Sequence, residues 1–354
     1  MKHLLIDIDS TIPNFALMKI SAWAKQKGDT VYLNKIDDNP DFIWISCIFT
    51  WHKQIAENHI TMFSVEYPNA EIHYGGTGFD AGKPFGDPTR KYLPKEIDNT
   101  LPDYDLYGDD RAIGFCQRGC DRKCPFCDVW QKEGRIENNE YHRLRGWVPD
   151  DKKKVLLLDN DVALVERWKH DEILKDARDL GVKLSITQGY DIREIAKDHS
   201  RAYDLAEQKP YDTGFKRHTL YIAWDMMGIE KYVRNGIETL LDAGFKGSEI
   251  KCYIIVGFPD RTLKKQQEPY MYYEERDLYR ANVLWKEYGV YPWVMPYNNV
   301  KMDQKIVNFE RWINRYLFKK MDFQDYKRGF KYSNAHMDRW TKENVVYPNL
   351  EVDE

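Results

Sequence analysis

Gly119-Cys120-Asp121-Arg122-Lys123-Cys124-Pro125-Phe126-Cys127 puts three cysteines on one short loop, spaced C-x3-C-x2-C, with an aromatic residue directly before the last thiol. Three thiolates can hold three irons of a [4Fe-4S] cluster and leave the fourth open. An iron without a protein ligand binds a small molecule, as the open position of a catalytic metal does. Cys116 lies four residues upstream of Cys120, so the same stretch offers four thiolates to a closed tetrahedral zinc. The spacing itself favours the iron–sulfur cluster.

Ile113-Gly114-Phe115-Cys116-Gln117-Arg118-Gly119 runs into that triad. The whole motif resembles the radical S-adenosylmethionine (SAM) superfamily, most closely the branch that carries an N-terminal cobalamin-binding-type domain. The resemblance makes Cys120, Cys124 and Cys127 the cluster ligands and leaves Cys116 on the preceding strand, outside the cluster. It also implies that the open iron chelates the amino and carboxylate groups of SAM. One electron from the reduced cluster then cleaves the sulfonium to a 5′-deoxyadenosyl radical, which calls for a one-electron donor of flavodoxin or ferredoxin type.

Strand and helix alternate on both sides of the triad. Toward the N-terminus, His3–Ile8 is an apolar run, and Pro13 to Lys27 has helical spacing through Phe15, Leu17, Met18, Ile20 and Trp23, with Gly28 as C-cap. Thr30–Leu33 and Asp41–Phe49 read as strands and Lys53–Val65 as a helix. Glu71–Tyr74 is a fourth strand ending in Gly75-Gly76-Thr77-Gly78. This order predicts a doubly wound parallel sheet. The segment resembles a shortened cobalamin-binding Rossmann-like domain. The Asp-x-His-x-x-Gly motif of classical cobalamin proteins is missing, although some radical SAM relatives bind cobalamin without its histidine. The glycine turn reads equally as a cofactor cradle and as a plain tight turn.

Beyond the proline-bearing linker Lys83–Asp105, strands are expected at Ala112–Cys116, Val155–Leu158, Lys183–Thr187, Thr219–Trp224, Ile250–Val256 and Val290–Met295. Helices are expected at Val162–Leu180, Ile192–Gln208 and Ile229–Ala243, with Gly181 and Gly244 where C-caps belong. The fold class is therefore α/β: a partial (β/α)6 barrel, as the resemblance implies, preceded by a small Rossmann-like parallel sheet. The boundaries are 1–108 for the shortened cobalamin-binding-like domain, 109–300 for the barrel and 301–354 for a helical basic and aromatic extension.

Active sites of parallel barrels gather at the C-terminal strand ends. Asp159-Asn160-Asp161 follows the second barrel strand, where the family usually carries Gly-Gly-Glu. Asp159 and Asn160 are candidate acceptors for the SAM ammonium, and Asn160 or Asp161 is equally a good helix N-cap. Gln188-Gly189-Tyr190-Asp191-Ile192-Arg193 follows the third strand, where the branch often reads Asn-Gly-Leu-Arg. Arg193 or Gln188 is thus the candidate for the SAM carboxylate or ribose, since an arginine fork matches a carboxylate. Arg193 beside Asp191 or Glu194 reads equally as a surface ion pair.

Asp225 ends the fourth strand in a place where the family contacts ribose or methionine. Val256 and Gly257 resemble the family's fifth-strand motif, whose apolar backbone meets adenine; Phe126 is expected there too. Pro296-Tyr297-Asn298-Asn299, at the sixth strand tip, is the candidate substrate face.

Composition narrows the classes. Hydrophobic residues make up 42% and charged residues 31%, as in a soluble globular protein, and no stretch approaches twenty apolar residues. Met1-Lys2-His3-Leu4-Leu5-Ile6-Asp7 turns acidic too soon for a signal peptide. Six cysteines, four of them clustered, fit a reducing, cytoplasmic location. A net charge of −4 argues against a chain-wide nucleic-acid footprint. Residues 301–331 are the exception, with nine Lys or Arg against four Asp or Glu among Phe309, Trp312, Tyr316, Phe318, Phe323, Tyr326 and Phe330. They read as an amphipathic helix packing its aromatics, with a polyanion-binding face as the alternative. Cys47 and Cys252 lie in apolar strands and read as buried small hydrophobes.

The leading expectation is a radical SAM enzyme acting on an unreactive C–H bond of a small-molecule or nucleotide substrate, in a cobalamin-free modification or rearrangement. Cobalamin-dependent methyl transfer is the alternative within the class. A non-enzymatic zinc or iron–sulfur module is the alternative outside it.

Overall fold

The computed structural model of the chain describes residues 1–35, 38–258, 276–297 and 304–326. Its elements fall into two units. One comprises Met1–Lys123, Cys127–Asp159 and Asp179–Val182; the other comprises Cys124–Phe126, Asn160–Arg178 and Lys183–Glu354.

In the first unit, β1 (Lys2–Asp7), β2 (Thr30–Leu33), β3 (Phe42–Ser46) and β4 (Glu71–Gly75) form a parallel sheet in the order β2-β1-β3-β4. Leu4 pairs with Tyr32 on one side and Ile43 on the other. The crossovers are α1 (Phe15–Gln26) and α2 (Lys53–Glu66). Asn14 starts α1 by accepting the Leu17 N–H, which satisfies one of the first turn's orphan donors. Alternate strand residues face opposite helices. Leu4, Ile6, Ile43 and Ile45 pack with Ala56 and Phe63 of α2, whereas Leu5 and Trp44 pack with Leu17 and Ile20 of α1. A parallel sheet covered on both faces results.

Short helices α3 (Thr77–Asp80) and α4 (Lys95–Asp98) lead to β5 (Arg111–Gly114), which pairs in parallel with β6 (Lys154–Leu157). The cysteine loop and α5 (Val129–Lys132) lie between β5 and β6 in sequence.

The second unit contains α6 (Arg167–Asp179), whose last residue belongs to the first unit, then β7 (Lys183–Ile186), α7 (Ile192–Lys197), α8 (Ser200–Glu207), β8 (Leu220–Ala223), α9 (Glu230–Asp242) and β9 (Ile250–Val256). α10 (Leu278–Asn282), β10 (Tyr291–Pro296) and α11 (Gln304–Asn314) follow. β8, β9 and β10 form a parallel sheet in the order β10-β9-β8, and Tyr190, beyond β7, bridges in parallel to Ile222 of β8. Alternating residues of β9 are buried: Ile250, Cys252, Ile254 and Val256.

The parallel α/β architecture expected from the sequence is what these residues show. Three local differences have physical causes. The expected Ile192–Gln208 helix breaks at Asp198, whose carboxylate accepts the Ser200 N–H and Oγ–H in a local turn that competes with the helical bonds, and a new helix starts at Ser200. The expected Val162–Leu180 helix begins as a separate 3-10 turn, Val162–Leu164, capped by Asp161, with Val165 extended before α6. β5 stops at Gly114 rather than Cys116, because the next amides leave the ladder for a side chain.

Among the aromatics of the basic C-terminal stretch, Phe309, Trp312, Phe318 and Phe323 are buried, as the packing-helix reading expects. Phe330, Asn298 and Asn299 lie outside the described residues. Among the described residues, no helix is long and apolar enough to cross a membrane.

Candidate cofactor site

In the first unit, the amides of Cys116 and Gln117 donate to the two carboxylate oxygens of Asp159, at 2.7 and 2.8 Å. Asp159 is 1% exposed, and burial pushes its carboxyl up to about 7 against the pull of those two N–H donors. Both oxygens of Asp159, expected among the acceptors for SAM, are thus engaged by protein amides. The side chain points inward and fixes the start of the cysteine loop.

The loop is tied down further along. The Gln117 amide group donates to the carbonyls of Ile136 and Asn139, and Asn139 Nδ2 donates to those of Glu133 and Arg135. Gly119 has a φ of 90°, and a Cβ there would lie 2.6 Å from the Arg135 carbonyl oxygen. Only glycine fits, for conformation and for space. Arg118 lies over the Phe115 ring and pairs with Glu133, and the Cys120 N–H donates to Gly134.

Exposure sorts the six cysteines. Cys120, Cys124 and Cys127 are partly exposed, whereas Cys47, Cys116 and Cys252 are buried. Burial pushes Cys47 up to about 11, helped by the Asp9 carboxylate, and Cys252 well above the usual thiol range. Neither is poised to ionise.

In the second unit, Cys124 shares its surroundings with Arg193 and Asp225. Arg193 Nε donates to Asp191 Oδ1 at 2.7 Å, and the guanidinium also reaches the Cys124 sulfur. Burial raises the Cys124 thiol, and the Arg193 cation counters it. Asp191 caps α7 through the Arg193 N–H, while its own N–H donates to Asp161. The Asp191 partner named in the surface-pair reading is therefore real, but the pair is only one-fifth exposed on the arginine side.

Asp225, just past β8, accepts the Ile255 N–H at 2.9 Å. Burial pushes it up to about 6, opposed by Arg280 and Arg193. Phe126 meets Phe258 edge to face at 5.3 Å, and Phe258 meets Tyr297 likewise at 5.0 Å. Val256 is buried at the end of β9 and Gly257 follows it. Gln188 is exposed beyond β7, and Asn160 is half-buried.

The structure thus gathers Arg193, Asp225 and Cys124, and sets Phe126 on Phe258. Asp159 it buries against the Cys116 and Gln117 amides. Sequence reading missed Arg276, Asp277 and Arg280, which are buried behind the strand tips. Their signal was a charged Arg-Asp-x-x-Arg run leading into the apolar Val283-Leu284-Trp285. Elsewhere in this unit His170, Asp171 and Asp204 offer ligand atoms within 4.8 Å of one another. Arg167 already pairs with Asp171, Asp198 and Asp204, supplying there the cation a metal would supply.

Neither a family model nor a curated protein matches the sequence. The fold is similar to a solved structure titled as the apo, selenomethionine-labelled cobalamin-dependent S-adenosylmethionine radical enzyme OxsB, with a TM-score of 0.51 and 13% identity. The likeness covers 89% of this chain and 56% of that one, so this chain spans little more than half the length of its neighbour. At that identity the likeness is one of fold, an α/β chain of parallel sheets.

Proposed function

We propose that the chain is a radical SAM enzyme. The observation that carries this reading is the sorting of its thiols: the C-x3-C-x2-C cysteines are accessible on a loop held by protein hydrogen bonds, and the other three are buried. Soft thiolate donors suit an iron–sulfur cluster. Cys116, buried and tied through its amide to Asp159, is a poor fourth ligand, so the set is open rather than closed.

When bound, the cluster supplies one electron to the sulfonium of SAM and thereby a 5′-deoxyadenosyl radical for C–H modification or rearrangement. The chain's own residues orient and screen. Arg193, held by Asp191, presents a cation to the SAM carboxylate. Asp225 and Asn160 accept hydrogen bonds from ribose or ammonium, with Gln188 at the rim. The Val256–Gly257 backbone, Phe126 and Phe258 cover the adenine side and exclude water. Asp159 acts as a positioning residue. In this reading, residues 109–300 form the partial barrel, 1–108 the shortened Rossmann-like domain and 301–354 an extension. The reducing electron comes from a small flavodoxin- or ferredoxin-type donor.

Cobalamin, the cofactor in the neighbour's title, does not fit the N-terminal sheet. Ligands of doubly wound sheets enter where the strand order reverses, here between β1 and β3. That point is filled from within. The Asp9 side chain is fully buried and accepts the N–H groups of Ile48 and Phe49, both at 2.8 Å. Asn14 Nδ2 lies 2.9 Å from both Ser10 Oγ and Ser46 Oγ, lacing the two strand ends together. A Cβ on Gly76 would lie 2.3 Å from the Cys47 carbonyl oxygen, which identifies the glycine turn as a close-packing device. The amides a cofactor would meet are already engaged.

Anaerobic reconstitution tests the reading. A brown protein with roughly four irons per chain, the content of one such cluster, that forms 5′-deoxyadenosine from SAM on reduction supports it. A colourless protein with one zinc and no SAM cleavage overturns it.

A further inference from the structure

Beyond the residues expected to touch SAM, the second unit buries three charged side chains of one helical segment: Arg276 at 5% exposure, Asp277 at 0% and Arg280 at 0%. Burying guanidinium groups is expensive, and a buried ion pair is weak evidence for stability. Here the pairing is incomplete by the measure of hydrogen bonding. Among the described residues, Arg280 Nε and Asp277 Oδ2 have no hydrogen-bond partner. What the guanidinium groups do make is a set of contacts to backbone carbonyls at the ends of two strands.

β8 ends at Ala223, so the Trp224 carbonyl has left the ladder inside a fully buried residue, where an unpaired acceptor is costly. Arg280 Nη1 donates to it, and Nη2 donates to the Ile255 carbonyl at 2.9 Å and to Asp277 Oδ1 at 2.6 Å. Arg276 donates through Nη1 to the Phe258 carbonyl at 3.2 Å and through Nε to Asp277 Oδ1 at 2.9 Å. Asp225 takes the Ile255 N–H, so Ile255 is held through both of its backbone groups.

We propose that Arg276 and Arg280, spaced by Asp277, are positioning residues that clamp the tips of β8 and β9 and thereby set Asp225 and the Val256–Phe258 backbone for SAM. The assignment of SAM as ligand rests on the function proposed above; the clamp itself does not. A guanidinium offers five donors in a fixed planar fork, which is why one side chain reaches carbonyls on two strands. A lysine ammonium keeps the charge and loses the fork.

The test uses Arg280→Lys and the milder Arg276→Gln in the reconstituted full chain. Iron content and far-ultraviolet circular dichroism first establish that each variant is folded. Amide hydrogen exchange then reads the clamp directly. Exchange should rise in peptides covering 224–226 and 253–258 and stay at the wild-type level in β5 and β6. SAM affinity by calorimetry should weaken by roughly tenfold or more in Arg280→Lys, the scale on which outer-shell partners act. Glu249→Gln, which breaks the distant pair with Lys209, should leave the affinity unchanged.

A folded Arg280→Lys chain with wild-type exchange at both tips overturns the clamp. Raised exchange with unchanged SAM affinity overturns its role toward SAM. If Arg280→Lys does not fold, the same two readouts on Arg276→Gln decide. A wild-type chain that binds no SAM sinks the proposed function, and hydrogen exchange still decides the clamp.

Discussion

Asp159 keeps its carboxyl inside the protein, raised from 3.8 to about 7 by burial. A raised acid favours the protonated form in the folded state, so its contribution to stability is greatest below the unfolded value and declines as pH climbs toward the folded one. Melting temperature should therefore fall as pH rises from about 4 to about 7 (the span between the two values of that raised acid), and Asp159→Asn should flatten the decline in a thermal scan. Asp225, raised to about 6, acts in the same direction and leaves a residual slope. Gly119→Ala drives a Cβ into the Arg135 carbonyl at a left-handed φ. The strain should be on the order of 1–3 kcal/mol, seen as a lower denaturation midpoint and lost iron retention. Cys120→Ala, Cys124→Ala and Cys127→Ala should each lose the cluster by iron assay, while Cys116→Ala keeps it; equal loss in Cys116→Ala would revive the four-thiolate zinc site. The sequence showed which cysteines cluster because ligand spacing is local. It did not show which way Asp159 faces, because that depends on two amides 42 and 43 residues away.

Elements whose apolar period is long and whose ends carry caps were legible from the sequence. Thr30–Leu33 and Ile250–Val256 have the expected bounds, and Gly28, Gly181 and Gly244 all take positive φ at helix ends. The break between α7 and α8 was not legible. Asp198 reads as an exposed helical residue, and only its bonds to Ser200 and its pairing with Arg167 reveal the turn. The sheet's switch point was likewise hidden, since Asp9 meets its partners some forty residues later in sequence. The aromatic stripe of α11 is a core element. Phe309→Ala should lower stability by about 3–5 kcal/mol, read from the denaturant midpoint, whereas exposed Lys320→Gln should leave it within error.

For the molecule as a whole, pattern reading reached the α/β class and its parallel sheets, and a fold neighbour at 13% identity shares that architecture. Chemistry is carried by side chains, and shared architecture does not transmit it. Incubation with hydroxocobalamin followed by gel filtration should leave no pink chromophore on the chain; one equivalent retained would mean that the Asp9 plug opens. The hydrogen bonds that bind Gln117 and Asn139 into the cysteine loop have one more consequence. Zinc fingers are unfolded until metal arrives, because the metal is their folding energy. On the proposed reading, one arm of the cluster's seat in this chain is held by the protein's own amides and carbonyls. Cluster loading should thus be insertion into a scaffold that is already folded on that side: stripping by chelator and reloading should be reversible, with circular dichroism that overlays before and after.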